Sequence, residues 1–208
     1  MGDFTYESAP TKGNYETYEW DNVWLEHAND TTTPRVLYIG DSISCGIRRI
    51  ATAQTENQLY FDGFGTSKSL DNPWFRESLA IFAQQQPGRK IVLFNNGLHG
   101  WHLSHDEQYS KYLEDMIRYL QRQFAGTPVA IVLTTWIADA QNLPAVQTRN
   151  AAAIQVAQKL NVPVIDLYSV AEANQDLISD GVHFKEEGYR KLAAALIAGV
   201  KKIVPTLA

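Results

Sequence analysis

The sequence lacks what several large classes of protein require. Its single cysteine, Cys45, excludes an intrachain disulfide and a metal site built only from cysteines. No apolar run approaches the roughly 20 residues of a membrane span, so we predict no membrane partner. Residues 1–14 are polar and lack the apolar stretch of a signal peptide, which favours a cytoplasmic protein unless a signal has been removed from the sequence.

Basic residues are also too few and too scattered to bind a polyanion. The chain has 18 Lys and Arg against 23 Asp and Glu, which gives a formal net charge of −5. Nucleic acids are bound through clustered Lys and Arg side chains that contact the phosphates. We therefore predict no nucleic-acid partner, and the sequence carries no signal for an oligomeric state.

What the chain does have is enough apolar side chain for one core. Its 208 residues, of which 45% are hydrophobic, suit a single domain, which we place at residues 34–208. Residues 1–33 are polar but rich in tyrosine and tryptophan, too aromatic for a disordered tail. We expect this extension to pack on the domain.

Strand and helix patterns alternate along the domain. Short apolar runs rich in β-branched residues predict buried strands at residues 36–39, 91–94, 129–133 and 164–165. Apolar residues spaced three and four apart predict helices at 109–120, 151–160 and 189–203, and a further helix that starts near Ile43. This alternation favours a three-layer α/β fold with a parallel sheet, in which ligands bind beyond the carboxyl ends of the strands.

Ser42 is the first candidate for chemistry. The first strand ends in Gly40-Asp41-Ser42, and a helical pattern begins at once. Unpaired N–H groups and the helix dipole favour negative charge at this point, which suits a serine whose attack generates an oxyanion. The alternative is an ordinary serine that caps a helix.

Asp180 and His183 stand just before the last predicted helix. A serine nucleophile needs a base, and the base needs an acceptor on its other ring nitrogen. Gly181 allows a tight turn in which the two side chains can meet. The alternative is a surface turn with an ordinary histidine. A third stretch, with Gly97 and Gly100, follows another strand and exposes N–H groups to a ligand or marks only a turn.

Together these blocks resemble the GDSL/SGNH hydrolases over residues 36–203. The matching motifs are Gly40-Asp41-Ser42, the glycine-rich turn, and Asp180-Gly181-Val182-His183 before the final helix. The resemblance implies a flavodoxin-like three-layer α/β/α fold and hydrolysis of acyl esters without a cofactor. It also implies that Ser42 is the nucleophile and first oxyanion donor, His183 the base, and Asp180 its partner.

The sequence departs from the family in the blocks that complete the oxyanion hole. The family takes a second donor from a glycine after its second strand and a third from an asparagine after its third. If a weak strand at residues 59–61 is the second, Gly65 or Gly63 is that glycine and His99 replaces the asparagine. Without this strand, Gly100 becomes the glycine donor. We predict the first arrangement, with His99, or else Asn95 or Asn96, supplying the missing hydrogen bond.

We therefore predict a serine esterase that works through an acyl-enzyme on Ser42. No long apolar lid is visible, which favours short acyl esters, acetylated carbohydrates among them. Candidate substrate contacts are Asn95, Asn96 and Trp136. The alternative is an inactive relative that binds carbohydrate, because the family asparagine is missing and 11% of the residues are aromatic.

Three other hypotheses are weaker. His99, His102 and His105 recur every third residue, but Gly100 disfavours the regular helix that would align them on a metal, so we predict no metal. Walker and dinucleotide motifs are missing, so we predict no nucleotide or flavin cofactor. The α/β-hydrolase elbow needs Gly-x-Ser-x-Gly, and Ser44 stands where its last glycine belongs.

Overall fold

The protein is built on a six-stranded sheet. A computed structural model describes residues 14–103 and 106–207. The strand order is β1-β3-β2-β4-β5-β6. The strands are β1 (Asp21–Trp24), β2 (Arg35–Gly40), β3 (Tyr60–Thr66), β4 (Arg89–Phe94), β5 (Val129–Val132) and β6 (Val164–Ile165). β1 pairs antiparallel with β3, and every other pair is parallel.

Helices cover both faces of the sheet. They are α1 (Ser42–Gln54), α2 (Phe75–Ala83), α3 (Asp106–Gln123), α4 (Leu143–Leu160), α5 (Tyr168–Glu172) and α6 (Glu186–Ile203), with short 3-10 helices at Gln175–Leu177 and Pro205–Leu207. Leu37 and Ile39 of β2 pack with α2, α3 and α4, whereas Val36 and Tyr38 pack with α1 and α6. Successive residues of a strand point to opposite faces, so one continuous apolar run serves two cores. None of the helices in the described part of the chain is long and apolar enough to cross a membrane.

The predicted fold class is confirmed. The five parallel strands, taken in chain order, lie in the spatial order 2-1-3-4-5, which is the flavodoxin-like arrangement. In this arrangement the carboxyl ends of β2, β3 and β4 lie side by side, with β2 in the middle. The segments that follow these three strands therefore meet at one rim of the sheet.

The second parallel strand differs from its predicted bounds. The sequence pattern predicted residues 59–61, but β3 runs from Tyr60 to Thr66 and all seven residues are buried. Of the two alternatives in the sequence analysis, the one that counts this element as the second strand is therefore correct. Gly63 and Gly65, expected beyond the strand, lie within it, where Gly65 is in register with Asn22 of β1 and Gly40 of β2. The two glycines interrupt the apolar pattern, and this is why the prediction stopped at residue 61.

Several other elements were not predicted from the sequence. β1, α2 and α5 were not predicted, and α4 begins at Leu143, well before the predicted residue 151. Pro144 lies in the first turn of α4, where a proline removes no helical hydrogen bond. The predicted extension at residues 1–33 contains β1, an edge strand of the same sheet, while residues 1–13 lie outside the described part. The division between residues 33 and 34 stays a prediction.

Candidate active site

Ser42, His183 and Asp180 meet at the carboxyl end of β2. His183 Nε2 lies 2.8 Å from Ser42 Oγ, and His183 Nδ1 lies 2.8 Å from Asp180 Oδ2. Ser42 and His183 are 141 residues apart in the chain. An imidazole held between a hydroxyl and a carboxylate can take the hydroxyl proton on one nitrogen while the carboxylate fixes the other.

The junction between β2 and α1 holds Ser42 in place. Ser42 is the first residue of α1, and the Asp41 side chain caps the helix by accepting the Ile43 N–H at 3.0 Å. Ser44 Oγ donates to the Asp41 carbonyl at 2.6 Å. A Cβ on Gly40 would lie 2.8 Å from Ser44 Cβ, so this turn requires glycine. Because the helix begins at Ser42, the N–H groups of its first turn lie beside the hydroxyl.

A tight turn before α6 brings Asp180 to His183. Asp180 Oδ1 accepts the N–H groups of Val182 and His183 at 3.1 and 2.7 Å, and Oδ2 contacts the ring. Gly181 has φ +96°, a conformation that favours glycine, and Ser179 N–H closes the turn by donating to the His183 carbonyl at 2.7 Å. The spacing of three residues places both groups in one turn, as predicted from the sequence.

The Asp180 carboxylate keeps its charge although the protein partly covers it. Burial raises its pKa, but hydrogen bonds from the backbone N–H and ring of His183 and from Val182 N–H outweigh burial and hold the pKa below its usual value. The Asp180 side chain is 57% exposed and that of His183 20% exposed. The three residues therefore form a site at the protein surface, with Ser42 buried at its base.

The loop between β4 and α3 lies beside this site. Asn95 N–H donates to the Ile39 carbonyl, which joins the end of β4 to the end of β2. His99, further along the loop, is buried, and its Nδ1 lies 3.7 Å from Glu16 Oε1. On the other side, Arg149 of α4 donates to the carbonyls of His99 and Gly100 at 2.9 and 2.7 Å. The loop is thus held from two directions.

The side chains of the two asparagines in this loop hydrogen-bond it to neighbouring segments of the protein. Asn95 Nδ2 donates to the Val132 carbonyl and to Thr134 Oγ1, both at 3.0 Å. Asn96 Nδ2 donates to the Lys68 carbonyl at 2.9 Å. Both side chains are buried, and these bonds fix neighbouring loops. Asn95 donates two of them and Asn96 one, and the predicted roles of both amides as oxyanion donors or substrate contacts stay predictions.

The remaining candidates are distributed as follows. The N–H of Gly100 is bonded to Glu16 Oε1 at 2.8 Å, so an oxyanion would have to displace this carboxylate to reach it, and the alternative that makes Gly100 an oxyanion donor stays a prediction. Gly65 lies at the end of β3 next to Gly40, whereas Gly63 lies two residues deeper in the sheet. Trp136, in the segment after β5, is half-buried and packs against the core on the α1 side.

The three histidines of the metal hypothesis have different partners. His99 faces Glu16, and His102 Nε2 lies 2.9 Å from Asp71 Oδ2. His105 is outside the described residues. Within residues 14–103 and 106–207, no group of three or more His, Cys, Asp or Glu side chains has the arrangement of a metal site.

Residues 38–191 match the family model of the GDSL-like lipase/acylhydrolases, a region that contains Ser42, Asp180 and His183. The match covers well over half of the sequence. The chain belongs to the GDSL-like lipase/acylhydrolase family. The protein is therefore a hydrolase that acts on esters. No curated protein sequence matches the chain.

Solved structures show the same GDSL-type fold at low identity. One is a member of the lipolytic protein G-D-S-L family from Veillonella parvula, 24% identical with a TM-score of 0.60, which covers 80% of this chain and 97% of its own. Another is an acetyl xylan esterase, AlAXEase, 18% identical with a TM-score of 0.63 over 80% of this chain and 99% of its own. A third is the C-terminal catalytic domain of peptidoglycan O-acetyltransferase A from Streptococcus pneumoniae, with a methylsulfonyl adduct, 17% identical with a TM-score of 0.62 over 82% of this chain and 94% of its own.

Two residues of this GDSL-family protein escaped the sequence analysis. Glu16 stands in the N-terminal extension, outside the matched region, and Arg149 lies on one face of α4. A charged residue on a helix usually faces solvent, and the sequence offers no sign that Arg149 is buried. Both became visible because the structure shows them bonded to the loop that carries His99.

Proposed function

We propose that the protein is a serine esterase that cleaves short-chain acyl esters through Ser42, His183 and Asp180. One observation carries the proposal: His183 has Ser42 Oγ at 2.8 Å on one ring nitrogen and Asp180 Oδ2 at 2.8 Å on the other. The order hydroxyl, imidazole, carboxylate is what nucleophilic acyl transfer by a serine requires.

The reaction proceeds in two halves. Ser42 Oγ attacks the ester carbonyl carbon while His183 Nε2 takes the hydroxyl proton, and Asp180 stabilises the imidazolium that forms. The carbon–oxygen bond to the alcohol then breaks, and His183 returns the proton to the departing alkoxide. Water attacks the acyl-enzyme in the same way, with His183 as base, and releases the acid and the free Ser42 hydroxyl.

The tetrahedral intermediate needs donors for its oxyanion. The Ser42 N–H, in the first turn of α1, is one, and the helix dipole adds to its effect. His99 is the donor in place of the family asparagine, since its loop follows β4, the strand beside β2. Gly65 is the candidate for the glycine donor, because it is next to Gly40 in the sheet. Losing one such donor typically costs about 10²–10³ in rate.

Two considerations support acetylated carbohydrates as the substrate class. The site lies at the surface, with more than half of the Asp180 side chain exposed, so an ester on a large polar molecule can reach Ser42. Among the structural neighbours are an acetyl xylan esterase and a peptidoglycan O-acetyltransferase domain, both named for acetyl groups on polysaccharides. Trp136, half-buried after β5, is proposed to contact the sugar.

The first experiment measures hydrolysis of p-nitrophenyl acetate by the wild type and by Ser42→Ala and His183→Ala. Each substitution should reduce kcat by several orders of magnitude, because a triad acts as a unit. Undiminished turnover by Ser42→Ala would reject the proposal. If the wild type hydrolyses no ester yet binds acetylated oligosaccharides, the protein is the inactive carbohydrate-binding relative.

A sulfonyl fluoride provides a second test that does not depend on the substrate. The reagent should modify Ser42, since His183 activates its hydroxyl, and mass spectrometry locates the adduct. Ser169 is a matched control: its Oγ bonds Asp166 Oδ2 at 2.6 Å and it is exposed. Labelling of Ser169 in preference to Ser42 would show that accessibility rather than activation decides the reaction.

A series of esters tests the acyl group. The kcat/KM for the acetyl ester should exceed that for the octanoyl ester, and acetylated xylan or peptidoglycan fragments should release acetate in a Ser42-dependent manner. A preference for long acyl chains would contradict the short-chain assignment while leaving the esterase intact.

A further inference from the structure

Glu16 reaches from outside the family region into the loop between β4 and α3. Its Oε1 accepts the N–H of Gly100 at 2.8 Å and lies 3.7 Å from His99 Nδ1. The side chains of Glu16 and His99 are only 4% and 1% exposed. At 3.7 Å the two atoms are within the range of an ion pair but too far apart for a hydrogen bond. A buried carboxylate therefore faces the residue proposed to replace the family asparagine.

The segment that carries Glu16 is fixed to the rim of the sheet. The N–H of Glu16 donates to Glu19 Oε1 at 2.9 Å, and Glu19 Oε2 accepts from Ser67 Oγ at 2.9 Å, just beyond β3. Ser69 and Asn72 both donate to the Asn14 carbonyl at 3.2 Å. These bonds connect the extension to the segment after β3, so the position of Glu16 is set by the fold.

Glu16 is ionised in this environment. Burial raises its pKa, but His99, the Gly100 N–H and the more distant His102 lower it, and the net effect is a pKa below the usual value. A carboxylate that stays charged while buried needs positive partners nearby. Its charge in turn favours a proton on the ring of His99.

Other charged and titratable groups surround His99. Arg149 of α4 donates to the His99 carbonyl and opposes a second positive charge, and its guanidinium also stacks on Tyr109 of α3, with 4.9 Å to the ring centroid. His102, on the same loop, is paired with Asp71. The Trp20 ring meets His99 edge to face, with 5.9 Å between centroids. Glu16 and Asp71 are the carboxylates among these groups. Asp71 is paired with His102, so Glu16 is the carboxylate that faces His99.

We propose that Glu16 is a positioning residue that holds His99 as an imidazolium, with Nδ1–H towards Glu16, so that the ring also carries the Nε2–H that an oxyanion donor needs. The proposal rests on the esterase mechanism given above. A neutral ring whose proton sits on Nδ1 would offer the oxyanion no donor, whereas the imidazolium carries a proton on both nitrogens. Charge-assisted hydrogen bonds are about twice as strong as neutral ones. The pair thus explains how a histidine replaces an asparagine amide.

The test is the pH dependence of kcat in Glu16→Gln. The glutamine keeps an oxygen for the Gly100 N–H but removes the negative charge. We expect kcat to fall roughly 10-fold or more with KM little changed, because a weakened oxyanion donor affects the transition state. The alkaline fall in kcat, caused by loss of the His99 proton, should move to lower pH. Glu16→Asp, which keeps the charge, should restore the alkaline limb towards the wild-type position.

A double-mutant cycle separates positioning from simple structural support. In a His99→Asn background there is no ring to hold, so Glu16→Gln should cause no further fall in kcat and no shift of the profile. An equal additional loss in both backgrounds would overturn the proposal. ¹⁵N NMR of labelled histidine gives a direct signature: the His99 resonances, identified by their loss in His99→Asn, should be those of an imidazolium at neutral pH, and a neutral ring would also overturn it.

Two further variants make the outcomes distinguishable. Glu26→Gln, in the same extension, removes a carboxylate that accepts from Trp24 Nε1 far from His99, and it should leave kcat and its pH profile unchanged. Ser42→Ala reports on the proposed function itself. If Ser42→Ala is inactive while Glu16→Gln behaves as wild type, the esterase assignment stands and the role of Glu16 is rejected. If Ser42→Ala is active, the assignment fails whatever Glu16 does.

Discussion

Arg149 donates from Nη1 to the carbonyl oxygen of His99 at 2.9 Å, although the two residues are 50 positions apart. The same guanidinium also donates to the Gly97 carbonyl at 3.0 Å and the Gly100 carbonyl at 2.7 Å. It stacks on Trp101, with 4.7 Å to the ring centroid. One buried side chain of α4 therefore fixes the path of the loop on which the proposed oxyanion donor lies.

Replacing Arg149 with lysine should destabilise the protein and slow catalysis. The lysine ammonium cannot reach three carbonyls in a planar fork, and buried carbonyls left unpaired cost about 1–3 kcal/mol each. Part of this loss is offset because the buried guanidinium charge is removed. We therefore expect the free energy of unfolding to decrease by about 2–4 kcal/mol. Urea unfolding measures the stability, and p-nitrophenyl acetate hydrolysis at saturating substrate measures kcat.

Arg118→Lys is the matched control for this substitution. Arg118 lies on α3, half-exposed, and pairs with Glu114 one helical turn away. Such surface pairs add little to stability, so the unfolding midpoint should barely change. A midpoint shift as large as that of Arg149→Lys would show that the loop contacts are not responsible.

The sequence predicted the sheet and the meeting of Asp180 with His183 because both have local signals, whereas the approach of Ser42 to His183, 141 residues away, was implied by the resemblance to the GDSL/SGNH hydrolases. Continuous apolar runs mark strands covered on both faces, and the spacing of Asp180 and His183 brings them together within one turn. The end of β3 was missed because Gly63 and Gly65 look like a turn. Glu16 could not be predicted, since its contact with Gly100 spans 84 residues and follows no periodic pattern.

Asp180→Asn should lower kcat roughly 10³–10⁴-fold while leaving the fold intact. The amide can still accept the N–H groups of Val182 and His183 but carries no charge to stabilise the imidazolium. The acetyl-ester assay measures the effect, and an Asp180→Asn variant as active as the wild type would contradict Asp180 as the partner of the base.

The stability of the same pair of proteins should depend on pH below about 4. The pKa of Asp180 is lower in the folded protein than in the unfolded chain, so its ionised form stabilises the fold above the unfolded value of about 3.9. This contribution is lost as the pH falls through the folded pKa. The difference in the free energy of unfolding between wild type and Asp180→Asn should therefore be constant near neutral pH and decrease in acid. A difference that grows in acid would show the opposite shift.

Arg35 and Asp62 form a buried ion pair at the opposite end of β2 from Ser42. Arg35 Nη1 lies 2.8 Å from Asp62 Oδ1, and the side chains are 2% and 0% exposed. Arg35 also donates to the carbonyls of Glu26, His27 and Asp30 at 2.7–3.0 Å, which secures the connection between β1 and β2. The pair thus joins the amino-terminal ends of β2 and β3, away from the rim that carries the proposed chemistry.

Asp62→Asn should lower the free energy of unfolding by about 3–5 kcal/mol, because it leaves the Arg35 charge buried without its partner. Asp62→Leu combined with Arg35→Met removes both charges. Urea unfolding should show that this double variant loses less stability than the sum of the losses of Asp62→Leu alone and Arg35→Met alone. The kcat of the folded fraction should match wild type in each variant, since catalysis is proposed at the other end of the strand. If the double variant loses the full sum, the two charges do not depend on each other, and the carbonyl bonds of Arg35 alone account for its stabilising effect.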